Sequence, residues 1–95
     1  VRHVNEDDLD QLEPLLEELR QLPQLRERKR GNFSRGSRGF LHFHADGDDF
    51  YADVRLSTEY ERLKVTNKDE RADFISEVKN SLGTASGPRS SSDSK

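Results

Sequence analysis

The sequence predicts an α+β fold in two layers, with an N-terminal helix, an antiparallel sheet of three to four strands and a C-terminal helix. Three observations predict it. Leucines recur at threes and fours between residues 9 and 22. Two segments that alternate apolar and polar residues flank an Asp-Gly-Asp turn at residues 46–48. A second helical stripe, Phe74, Ile75, Val78 and Leu82, closes the pattern. No parallel βαβ unit is visible. Each helix has one apolar stripe and the sheet one strongly apolar face, so both helices are expected on that face.

The first helix spans residues 5–22, carrying Leu9, Leu12, Leu16, Leu19 and Leu22 with Leu15 on the flank. Asn5 is its expected N-cap, and an acidic first turn suits the positive end of the helix dipole. Pro14 breaks the rule against internal prolines, and either a kink there or a helix that starts at Pro14 would accommodate it. The leucine phase crosses Pro14 unbroken, which favours the kink, and Pro23 ends the helix. Residues 24–39 are rich in Arg and Gly. "GNFSRG" predicts one short edge strand with Phe33 inward, weakened by Gly36 and Gly39.

The central hairpin pairs "FLHFHA" with "DFYADVRL". Leu41, Phe43, Ala45, Phe50, Ala52, Val54 and Leu56 are expected inward. Phe40, His42, His44, Asp49, Tyr51, Asp53 and Arg55 are expected outward. A turn at Asp46–Gly47 would set His42 against Tyr51 and His44 against Asp49. A turn at Gly47–Asp48 would set His42 against Asp53 and His44 against Tyr51. Both keep the same faces, because a two-residue shift preserves the pleat. "YERLKV", residues 60–65, predicts a further strand with Leu63 and Val65 inward and Tyr60, Arg62 and Lys64 outward. Asn67 and Glu70 have capping-box spacing for the last helix, Ala72 joins the edge of its stripe, and Gly83 is expected to stop it.

Ninety-five residues make one domain, placed at residues 1–83, with "TASGPRSSSDSK" at 84–95 expected as a disordered tail. A chain this short buries about 60–65% of its unfolded surface, so the core is thin. The absence of cysteine excludes disulfides, thiolate catalysis and iron–sulfur ligation. No apolar run approaches the ~18–20 residues that span a bilayer, and no secretory segment is visible. A soluble, cytoplasmic protein without a membrane partner is the expectation. The net charge of −3 hides an asymmetry: residues 6–18 hold only acidic charges, whereas Arg26, Arg28, Lys29, Arg30, Arg35 and Arg38 face Glu27 alone. The two blocks can pair with each other or present opposite fields to partners.

The chemistry gathers on the outer sheet face. His42 and His44, two apart on one strand face, could share a metal with Asp53 or Asp49. Alternating strands place polar residues there for solvent alone, and His3 is the remaining histidine. The "DGDD" turn is too short for an EF-hand and reads as a solvated hairpin turn. "RGFLHFHA" matches only the opening of the RNA-recognition signature and lacks its strand–helix order. No nucleophile elbow, P-loop or dinucleotide fingerprint is present, so catalysis is not expected.

The run from residue 25 to 70, with "FLHFH" at Phe40 to His44 and "ADVR" at Ala52 to Arg55, resembles a group of short uncharacterised bacterial proteins. The resemblance implies a small stand-alone α+β protein and brings no activity. The leading functional expectation is a non-catalytic binding or interaction module on the outer sheet face, using His42, His44, Tyr51, Asp53, Arg55, Tyr60 and Arg62. A protein partner or self-association as a dimer is its first expected partner. The alternatives are nucleic-acid binding through Arg26, Arg28, Lys29, Arg30, Arg35 and Arg38, and metal binding through His42, His44 and Asp53, with no other cofactor.

Overall fold

A computed structural model describes residues 2–83, and the expected tail lies outside the described residues. The elements run β1 (Arg2–His3), α1 (Glu6–Arg20), β2 (Leu25–Lys29), β3 (Asn32–Arg35), β4 (Arg38–Asp46), β5 (Asp49–Val54), β6 (Glu61–Lys64) and α2 (Lys68–Gly83). β2 to β6 form an antiparallel meander in chain order, and β1 pairs with β4. Both helices share one apolar core with one face of the sheet. The architecture is therefore α+β as expected, with six strands instead of three or four. Among the described residues no helix is long and apolar enough to cross a membrane.

α1 starts where its cap dictates. The Asn5 side chain accepts the Asp8 N–H and the Asp8 carboxylate accepts the Asn5 N–H, each at 2.9 Å. The reciprocal pair satisfies two otherwise orphaned donors. Leu9, Leu12, Leu15, Leu16 and Leu19 are buried, so Leu15 belongs to the stripe itself. Leu22 lies beyond the helix end and is half-buried. Pro14 sits inside one continuous helix on its exposed side, so the helix does not restart there. The missing N–H therefore falls on the solvated face, where water can take the freed carbonyl.

The segment expected to hold one edge strand holds two. β2 and β3 form a hairpin closed at Gly31, whose φ is +83°. A Cβ on Gly31 would lie 2.7 Å from Leu9 Cδ2, so the turn needs glycine for both its backbone and its closeness to α1. β2 was hidden because a charged strand at the sheet edge has almost no apolar alternation to display.

The acidic and basic blocks meet through particular residues. Arg30 reaches Glu6, Asp10 and Glu13 on α1 at 2.6, 2.9 and 2.9 Å. Arg20 holds Glu13 and Glu27, and Glu27 also accepts the Gly31 N–H. Hydrogen bonds from Arg20 and Arg30 hold the Glu13 carboxyl at about 2, against an ordinary 4.5. A carboxylate depressed in the folded state adds stability above its unfolded value and loses it as pH falls toward the folded value. The protein is thus expected to lose melting temperature between about pH 4.5 and 2, and Glu13→Gln to flatten that loss. Thermal melts across this window check it.

β4 departs from simple alternation at one point. Phe33 pairs with Leu41 but Ser34 pairs with Gly39, which leaves Phe40 as an extra residue. A bulge turns two successive side chains toward the same side. Phe40, expected outward, accordingly joins Leu41 in the core at 1% exposure. Beyond the bulge the alternation resumes, with Phe43 and Ala45 inward and His42 and His44 outward.

The β4–β5 turn uses Gly47–Asp48, with Gly47 at φ +63°. His42 stands opposite Asp53 and His44 opposite Tyr51, which removes the Asp46–Gly47 alternative. Asn67 and Glu70 form the expected capping box on α2. The helix runs through Gly83 instead of stopping before it, and Ala72 is exposed instead of edging the core.

Candidate metal centre

Three strands build one rung on the outer face. His42 of β4 pairs with Asp53 of β5, and Asp53 pairs with Arg62 of β6. His44 stands two residues along β4 on the same side. The Nε2 atoms of His44 and His42 lie 3.0 and 3.9 Å from Asp53 Oδ2. Arg62 grips the same carboxylate in a fork, Nε to Oδ1 at 2.8 Å and Nη2 to Oδ2 at 3.1 Å. The Asp53 side chain is 14% exposed and that of His44 12%.

Arg62 and, more weakly, the two imidazoles hold the Asp53 carboxyl below the usual carboxylate range despite its burial. Burial, reinforced by the neighbouring His44, pushes the His42 imidazole below its ordinary value. The His42 ring lies 4.9 Å from the His44 ring, edge-on, and 5.5 Å from Tyr60. The Nδ1 atoms of both His42 and His44 are buried without a hydrogen-bond partner.

His3 joins this cluster from outside the expected set. β1 pairs Arg2 with Ala45 and His3 with His44, and brings the His3 ring to 5.2 Å from that of His44. The strand is held at its other side by Arg2, which pairs with the buried Asp8 of the α1 cap. Two residues display no alternation, so the only signal for His3 was its residue type.

The remaining expected residues divide. Tyr51 lies half-buried across from His44 and Lys64, outside the convergent group. Arg55 donates Nε and Nη2 to the Gly39 carbonyl at 3.2 and 3.0 Å, which ties β5 across to β4. Tyr60 is half exposed beside His42. In the basic set, Arg30 is committed to α1. Arg26, Arg28, Lys29, Arg35 and Arg38 form no ion pair with any described residue.

His42, His44 and Asp53 each offer a ligand atom, all within 4.8 Å of one another. No protein-family model, curated protein or solved structure matches the chain.

Proposed function

We propose that the outer sheet face is a binding site for a divalent transition-metal ion, held by Nε2 of His42, Nε2 of His44 and Oδ2 of Asp53. The observation that carries this reading is the convergence of both imidazoles on one carboxylate oxygen, at 3.0 and 3.9 Å. Two ligands that each lie ~2.1 Å from a tetrahedral zinc ion sit roughly 3.4 Å apart. The observed separations bracket that value, so small side-chain shifts would close the site. The donors, two imidazoles and a carboxylate, suit zinc, cobalt, nickel or iron(II) and not calcium or magnesium.

The charge states at neutral pH favour binding. A carboxyl held low is ionised at neutral pH, and an imidazole pushed down is neutral there, which are the two ligating forms. Arg62 holds both oxygens of the carboxylate, leaves one lone pair on Oδ2 for the ion, and competes with it as a neighbouring positive charge. Such a three-ligand set leaves coordination positions open on the solvent side. Metal binding, one of the two alternatives read from the sequence, is thus preferred here to a protein-binding or self-association surface on the same face.

The test is a titration of zinc(II) or cobalt(II) followed through the imidazole signals. His42 and His44 are expected to shift together, saturating at one ion per chain below millimolar metal. If neither signal moves in that range, the reading is wrong.

A further inference from the structure

Beside the His–Asp cluster the outer face holds a groove of about 400 Å³, bordered by Arg28, Ser34, Gly39, His42 and Tyr60 among others. Its volume is in the range of small-molecule pockets. Two irregularities shape it. In β2, Glu27 pairs with Phe33 and Lys29 with Asn32, so Arg28 is the extra residue of a second bulge, opposite the one at Phe40. Bulges re-aim side chains and recur beside binding sites. Arg28 borders the groove yet forms no ion pair with a described residue.

The other walls carry complementary features. Ser34 is 4% exposed, and its hydroxyl has no hydrogen-bond partner. A buried hydroxyl without a partner is costly, and a ligand bearing acceptors relieves that cost. Tyr60 is 50% exposed, the most exposed large apolar side chain among the described residues. Its hydroxyl lies over Gly39, where a Cβ would come within 3.0 Å of it. The absence of a side chain at Gly39 thus lets the Tyr60 ring settle over the strand beside His42. Arg26 stands opposite Ser34, so it shares that face, and it forms no ion pair with a described residue.

We propose that this groove binds a nucleotide, its base stacked on Tyr60 and its phosphate on Arg28 with the Ser34 hydroxyl as a further contact. A planar ring beside an unpaired guanidinium suits that combination of aromatic face and anion. The ligand is a free nucleoside monophosphate or one unit of a single strand, with Arg26 serving an adjacent phosphate in the second case. This site is separate from the metal ligands except for His42, which borders both, so it is tested on protein kept metal-free with a chelator.

Adenosine 5′-monophosphate, octauridylate, inorganic phosphate and benzoate serve as probes, read by the backbone signals of Ser34 and Gly39 and the ring signals of Tyr60. Either nucleotide probe is expected to shift all three. Arg28→Ala and Tyr60→Ala, both at exposed side chains outside the core, are each expected to weaken binding roughly five- to hundredfold with the melting temperature close to the parent's. Tighter binding of octauridylate with a steep salt dependence identifies a strand as the source. Equal affinities with a shallow dependence identify the free nucleotide. The proposal is overturned if neither nucleotide shifts these signals at millimolar concentration, if the two variants bind as the parent does, or if phosphate or benzoate matches the nucleotides. A metal titration that fails leaves this result standing, and the reverse also holds.

Discussion

Phe40→Ala is expected to destabilise the protein by about 3–5 kcal/mol, the range for truncating a buried aromatic ring. The side chain is among the largest that are fully buried, at 1% exposure. A domain of this size has a total stability of about 4–12 kcal/mol, so the variant should lose from about a quarter of that stability to all of it. Each kcal/mol lost should lower the melting temperature by roughly 4–8 °C. Urea unfolding at 25 °C measures it directly. Simple alternation places Phe40 outside, where truncation would change stability by less than about 0.5 kcal/mol. The two placements therefore differ several-fold in a single measurement. Phe40→Leu, which keeps most of the volume, is expected to cost much less.

The same bulge separates what was legible in the chain from what was not. Alternation over residues 41–54 correctly assigned inward Leu41, Phe43, Ala45, Phe50, Ala52 and Val54, and placed His42, His44 and Asp53 together on the outer side. The pleat has a period of two, and it survives any two-residue slip, which is why the faces were legible and the register was not. The left-handed backbone at Gly47 chooses the register. The N-cap at Asn5 and the capping box at Asn67 were legible because they are local, each closed within three residues.

Non-local or aperiodic features were not legible. A bulge inserts one residue and so breaks the very period used to find the strand, which misplaced Phe40 and concealed Arg28. β1 is two residues whose position depends on Arg2 meeting Asp8 and on the β4 edge beyond β3. The charge blocks pair selectively: Arg30 lies beside the Gly31 turn that packs on Leu9, within reach of three α1 carboxylates, while Arg26 and Arg28 face the other way. Charge counting alone does not distinguish these residues. Packing geometry does.

The His–Asp cluster was foreseen as a set of residues, and its function is now exposed to a sharper experiment. His44→Ala is expected to weaken zinc binding by more than about a hundredfold, since loss of an outer partner alone costs 10–100-fold and His44 is a ligand. His44 lies on the outer face, away from the shared core, so the melting temperature of the metal-free variant should stay close to the parent's. Arg62→Gln should act in the opposite direction. Its guanidinium holds both Asp53 oxygens and places a positive charge beside the ion's position. Removing that charge frees the carboxylate and ends a repulsion, so zinc affinity should rise, with the gain shrinking as salt screens it. A network that served only to pin three strands together predicts neither result: both variants would bind zinc as poorly as the parent, and Arg62→Gln would register only as a loss of stability. Isothermal titration of the parent and both variants at two salt concentrations separates the two accounts. The opposite signs of the two substitutions are what a ligand set with a competing cation requires.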